Sequence, residues 1–168
     1  MKKRYIIAFV ISSLIGTGMH FLYDLLPSPI TAVFAPVNES IWEHWKLLFW
    51  PFLTAAFILN RKEKDQARAW GAALSALVLM PLFLSGIYYT LASGFGVESG
   101  IVNISLYFIT MAFGFWLFYS LQKSGKAAKW VGFVVILTGI LGAALIFFTS
   151  APPNLPIFTE FSMVFKFF

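Results

Sequence analysis

The stretch Trp130-Val-Gly-Phe-Val-Val-Ile-Leu-Thr-Gly-Ile-Leu-Gly-Ala-Ala-Leu-Ile-Phe-Phe-Thr149 contains no charged side chain. A helix rising 1.5 Å per residue needs roughly 20 mostly apolar residues to cross the hydrocarbon core of a bilayer. This stretch has that length and character. Working back toward the N-terminus, four more segments qualify: Ile101–Leu121, Ala69–Ser93, Ser40–Leu59 and Tyr5–Leu26. Ser40–Leu59 is the least regular, because its uninterrupted apolar part is only Leu47–Leu59. It reaches spanning length when Trp42–Lys46 sit at the interface.

Composition agrees. The chain of 168 residues is 60% hydrophobic and 11% charged, against about 25% charge in a soluble domain. So short a chain has too much surface for its volume to hide that apolar area from water. The expected fold is an all-α integral membrane protein, a compact bundle of five transmembrane helices forming one domain over 1–168. The net charge of +5 is no nucleic-acid footprint, which would be a basic face on a soluble domain. Cysteine is absent, so disulfides and Cys-based metal or redox chemistry are excluded.

Topology follows from where the charges fall. Lys2, Lys3 and Arg4 precede the first segment. Arg61, Lys62, Lys64 and Arg68 lie between the second and third, and Lys123, Lys126 and Lys129 between the fourth and fifth. Positive loops stay in the cytoplasm, so the N-terminus is expected inside and the C-terminus outside. Lys46 and Lys166 fall on the outer side, with Asp24, Glu39, Glu43, Glu98 and Glu160, while Glu63 and Asp65 are inside. Trp70, Trp116 and Trp130 mark the inner interface, and Trp42 and Trp45 the outer one. The first segment follows a basic start as a secretory signal would, but it is too long and lacks a small-x-small cleavage site. It reads as a retained anchor. No internal repeat of the inverted-transporter kind is present. Ser12 with Gly16, Gly71 with Ser75, and Gly139 with Ala143 offer small-residue packing positions. Pro51 and Pro81 each free a carbonyl inside a segment. The connection Pro27–Val37 is itself apolar and reads as a surface segment or lid.

Chemistry concentrates in Gly18–Asp24 and Pro36–Lys46. His20 and Asp24 lie four apart and share a helical face. Glu39, Glu43 and Lys46 form one stripe of the second segment; Ser40 and His44 form the next, offset by about 100°. His20 lies about 9 Å below the outer end and Glu43 about 5 Å, at 1.5 Å per residue. Consecutive helices usually pack side by side, so His20, Asp24, Glu39, Glu43 and His44 are expected to converge. Ionisable groups in a membrane segment cost several kcal/mol unless paired or solvated.

Three uses of such a cluster compete. It can be a self-satisfied network in which Asn38 or Ser40 caps the helix and Lys46 neutralises Glu43. It can be a metal or cation site, with His20, Asp24, Glu39 and Glu43 as ligands to a divalent metal ion. It can do acid–base work through Glu43 and His44, although no nucleophile elbow or Gly-rich phosphate loop accompanies them. Asn38, Ser40, Lys46 and Tyr23 would then contact a small polar ligand or lipid. Ser85, Tyr88, Tyr89, Thr90, Asn103, Ser105, Tyr107, Thr149 and Ser150 lie at the same helix ends and are expected to wall the site.

The run Pro36-Val37-Asn38-Glu39-Ser40-Ile41-Trp42-Glu43-His44-Trp45-Lys46 resembles an uncharacterised family of small bacterial multi-spanning membrane proteins. Its members carry a His on the first helix, here His20, and a Pro-Pro-containing tail, here Pro152-Pro153 with Pro156-Ile157-Phe158. The tail continues Thr159-Glu160-Phe161, where the family pattern has Asp-Pro and Tyr-Gly. The resemblance implies a multi-pass protein of the bacterial cytoplasmic membrane and a family-specific polar run, with no assigned activity. From the residues, the expected function is an outward-facing His/carboxylate site for a cation or small polar ligand. A hydrolase acting on outer-leaflet lipid or envelope substrate is the main alternative. A structural or partner-binding role comes next, and a transporter last. The bilayer is the expected partner, and oligomeric state is left open.

Overall fold

The structure, a computed structural model, describes residues 2–97 and 99–159. Glu98, Glu160 and Lys166, which entered the charge reading, lie outside the described residues, as does the tail beyond Thr159. Seven α-helices follow in order: α1 (Lys3–His20), α2 (Leu22–Leu25), α3 (Pro29–Phe34), α4 (Ile41–Asn60), α5 (Gln66–Tyr89), α6 (Gly100–Ser124) and α7 (Val131–Ser150). A π-helical turn extends α5 over Thr90–Gly94, and a 3-10 turn over Lys126–Trp130 leads into α7. No strand occurs among the described residues.

Among the described residues, three helical stretches are long and apolar enough to cross a membrane: Gln66–Gly94, Gly100–Ser124 and Lys126–Ser150. The remaining two long helices depart from the expected spans for physical reasons. The segment expected at Tyr5–Leu26 breaks at Phe21, whose N–H turns back to the Gly18 carbonyl at 3.3 Å, tightening the last turn. This leaves 18 residues, two of them Lys3 and Arg4. In α4, Glu43, His44 and Lys46 occupy the first two turns.

α4 is the axis of the bundle, with 13 of its 20 residues buried. Phe52 meets Phe115 with ring centroids 4.8 Å apart and Phe118 at 5.9 Å. Pro51 takes away one amide donor, leaving the Leu47 carbonyl without its helical partner. Gly16 of α1 faces that carbonyl: a Cβ built there would lie 2.8 Å from it and overlap the Tyr107 hydroxyl. Ser12 donates to the Pro51 carbonyl at 3.3 Å. The Ser12/Gly16 pair is thus a close-packing site. Gly71 approaches the Ala127 carbonyl in the same way, whereas Gly139 faces open space and Gly142 takes the packing role against Phe49.

Trp116 and Trp130 are exposed, as an interfacial belt requires, but Trp42 and Trp45 are buried. Trp45 donates to Ser85 Oγ at 3.1 Å, and Trp42 packs on Phe148 and Phe158 at 5.5 and 4.8 Å between centroids. Their side of α4 is covered by α5, α7 and the tail, so they sit in the core and not in a belt. The outer faces carry Ile11, Leu14, Ile104, Ile136, Ile140 and Phe147 exposed. An apolar surface this extensive matches a lipid environment and not water.

Candidate functional site

Ser28 starts α3 with a reciprocal cap, its hydroxyl accepting from the Thr31 amide at 3.1 Å while its own N–H donates to Thr31 Oγ1 at 3.0 Å. The Pro27–Val37 connection therefore has a fixed shape. It is pinned to α4 by Trp50 Nε1, which donates to the Val33 carbonyl at 3.0 Å. Asn38 Oδ1 accepts from the Ser40 amide at 3.0 Å, and Ser40 Oγ accepts from the Glu43 amide at 3.3 Å. Asn38 thus shapes the turn and Ser40 caps α4, satisfying donors that the first turn leaves free. Because helical geometry begins at Ile41, Glu39 lies before the helix. It is off the stripe it was expected to share with Glu43.

The polar cluster consequently divides in two. The first half is a buried ion pair. Lys46 Nζ lies 2.7 Å from Glu43 Oε2, with side-chain exposures of 0% and 3%. The ammonium also donates to the Ala32 carbonyl at 2.7 Å and the Ala35 carbonyl at 3.4 Å. Glu43 accepts from the Val37 amide at 3.0 Å and from the Thr149 hydroxyl at 2.9 Å. A buried pair is tolerable when its remaining donors and acceptors are used. Here all three ammonium donors are used and both carboxylate oxygens accept. Glu43 is accordingly an anchor joining α4 to residues 32–37 and α7.

The second half faces the solvent. His20 Nε2, His44 Nε2 and Glu39 Oε2 form a triangle with sides of 3.2 Å between the two nitrogens, 3.5 Å from Glu39 to His44 and 3.7 Å from Glu39 to His20. Among the described residues these three form the group of His and carboxylate side chains close enough to share an ion. His44 Nδ1 donates to the Ser40 carbonyl at 2.8 Å. The neutral ring therefore presents the Nε2 lone pair to the triangle. If His20 donates from Nε2 into that lone pair, its own Nδ1 becomes a bare acceptor, and that atom is buried with no hydrogen-bond partner. If His20 instead carries its proton on Nδ1, that buried N–H has no acceptor and two lone pairs face each other; a proton or a metal ion shared between the rings relieves the repulsion.

A point equidistant from all three atoms lies about 2.0 Å from each, the metal–ligand distance of zinc with imidazole and carboxylate. At that radius the ion would lie in the plane of the three atoms; a tetrahedral ion, which separates its ligands by about 3.3 Å, needs the triangle to contract by a few tenths of an ångström. Glu39 is half exposed, leaving the outer face of the triangle open.

Asp24 is exposed on α2 and makes no ion pair with His20 among the described residues. The break at Phe21 takes it off the His20 face. Tyr23 lines a cleft of about 460 Å³ with Pro27, Ser28, Val37, Thr149 and Ser150. Of the expected wall, Thr149 and Ser150 are there, Ser85 serves Trp45, and Tyr107 reaches the Ser13 carbonyl at 3.0 Å lower in the bundle. Sequence reasoning brought His44 to the cluster but gave it an acid–base role instead of a place in the ligand set, and it missed Phe158 seated on Trp42 and Phe148. The Ser40-x-x-Glu43 spacing, an N-cap signal, was the available clue to the first, since it puts Glu39 outside the helix.

Comparison with curated proteins and with solved structures returns no match. The family profile that matches covers residues 1–166, and the chain belongs to that family, described as a family of unknown function, DUF6512.

Proposed function

We propose that this protein is a metal-binding protein of the cytoplasmic membrane that holds one divalent transition-metal ion, zinc by preference, between His20, Glu39 and His44. The observation that carries this reading is the triangle of two imidazole nitrogens and one carboxylate oxygen with sides of 3.2 to 3.7 Å, with the His44 tautomer fixed from behind by Ser40. Two nitrogens and one oxygen suit zinc and its neighbours over calcium or magnesium, which favour oxygen. In this reading α1 and α4 also cross the bilayer, giving five spans with the N-terminus inside and the metal at the outer surface. The exposed apolar face of α1, including Ile7, Ile11 and Leu14, supports its contact with lipid.

The test is metal analysis of the purified chain after chelation and reloading. One zinc per chain is expected, and cobalt substitution should give the intense visible bands of a tetrahedral site. His44→Ala and Glu39→Gln should lose or weaken the ion, whereas Asp24→Asn should keep it. Loss in Asp24→Asn with retention in His44→Ala would overturn the assignment.

One observation favours a second reading, a metal-dependent hydrolase acting on outer-leaflet lipid or envelope substrate. Three protein ligands with an open face are the arrangement of catalytic zinc, and structural sites are closed by a fourth ligand. Zinc-dependent hydrolysis of phospholipid or envelope ester, absent in His44→Ala, would carry it. Glu43 is unsuited to acid–base work in this reading, because it is buried in an ion pair with Lys46 and also accepts from Val37 and Thr149.

A further inference from the structure

At the opposite end of the bundle from the metal triangle lies a cavity of about 520 Å³, within the size range of small-ligand sites. Its wall includes Lys2, Arg4, Lys62, Lys64, Arg68 and Lys123. Six cations face two carboxylates, Glu63 and Asp65. Glu63 is taken by Arg4 at 2.5 Å, and Asp65 caps α5 by accepting from the Arg68 amide at 3.0 Å. Arg68 is held in place by donating to the Gln122 and Lys123 carbonyls at 2.5 and 2.6 Å. Lys2, Lys62, Lys64 and Lys123 have no carboxylate partner among the described residues. The floor is fixed by the Tyr5 hydroxyl, which bonds the Gln122 side-chain oxygen.

An excess of four positive charges around one open cavity calls for an anion, and a cluster of this kind suits a phosphate group. Its depth identifies the source. Tyr5 opens the apolar run of α1, and the exposed indoles of Trp116 and Trp130 mark the interface at the same end of the bundle. The cavity is therefore level with lipid headgroups. We propose that it binds the headgroup phosphate of an anionic phospholipid, with Lys62 and Lys64 on the α4–α5 turn as principal contacts.

The experiment is native mass spectrometry of the full chain in mixed micelles of phosphatidylglycerol and phosphatidylcholine. The paired variant Lys62→Gln/Lys64→Gln is compared with Lys126→Gln/Lys129→Gln, which removes equal charge from the same end but outside the cavity. All four lysines are exposed, and unchanged melting temperatures verify that both variants fold. The expected result is a preference of the wild-type chain for phosphatidylglycerol that falls about thirtyfold in the cavity variant and stays in the control, the scale that two lysines near an anionic headgroup supply. Equal losses in both variants would reduce the effect to diffuse charge and overturn the proposal. So would no loss in either. Inorganic phosphate that binds the chain as tightly as the lipid and displaces it would overturn the lipid assignment in favour of a free-anion site.

Discussion

Lys46→Met removes the cation of a buried pair while keeping an unbranched side chain of similar length. In the structure the ammonium lies 2.7 Å from Glu43 and 2.7 Å from the Ala32 carbonyl, with no exposure. The variant strands a carboxylate that still accepts from Val37 and Thr149 but has no counter-charge. Breaking a buried pair from one side costs about 3–5 kcal/mol. Protonating the carboxylate offers an escape, and from an ordinary glutamate value near 4.3 that costs about 3.7 kcal/mol at pH 7. The two figures agree, so the expected loss at pH 7 is about 4 kcal/mol, or roughly three orders of magnitude in the folding equilibrium. The sign with pH follows. The variant's folded state takes up a proton that its unfolded state at pH 7 lacks, so its stability recovers as pH falls, by about 1.4 kcal/mol per unit down to the glutamate range. Unfolding in mixed micelles, followed by tryptophan fluorescence at pH 7 and pH 5, measures both effects. Glu43→Gln/Lys46→Met should regain most of the loss, because neither charge remains. A single-variant cost below about 1 kcal/mol, or a cost that is the same at both pH values, would refute the anchoring role given to this pair.

Other consequences are open to equally direct measurement. Zinc occupancy by equilibrium dialysis should decline on acidification, because protons compete for both imidazoles; occupancy unchanged from pH 8 to pH 5 would exclude histidine ligation. Gly16→Ala should lower stability by about 1–3 kcal/mol through overpacking against the Leu47 carbonyl and Tyr107, while Gly139→Ala, facing open space, should be neutral or slightly stabilising. Phe158→Ala removes ring contacts to Trp42 and Phe148 and should cost about 1–3 kcal/mol, with a red shift in tryptophan emission as Trp42 becomes wetter.

The helical, membrane-type character was legible because it depends on composition and run length, which no tertiary contact alters. The neighbourhood of His20 and the Pro36–Lys46 run was legible too, since a short connection brings α1 and α4 together. The partition within that neighbourhood was not. Stripe arithmetic assumes helix from Ser40 and before, yet Ser40 is a cap and Glu39 precedes it, which moves Glu39 from Glu43 to His44. Asp24 was misplaced by the same assumption, applied across the break at Phe21. Lys46 was correctly suspected of neutralising Glu43. Its other partners, the carbonyls of Ala32 and Ala35, are backbone groups that sequence leaves unspecified. Trp42 and Trp45 were read as interfacial because tryptophan favours that layer; their burial depends on α5, α7 and the tail arriving on one side of α4.

The hydrogen bond from Thr149 to Glu43 joins positions 106 apart, whereas His20, Glu39 and His44 all lie within the first third of the chain. A ribosome delivers the ligand set early and the clamp beside it late. During that interval α4 lacks its α7 contact, so an ion bound as proposed would enter a softer, more adaptable cage. Insertion of the last helix then hardens the cage around whatever it holds. Metal identity would be decided during biogenesis, by what is within reach while the chain is half made.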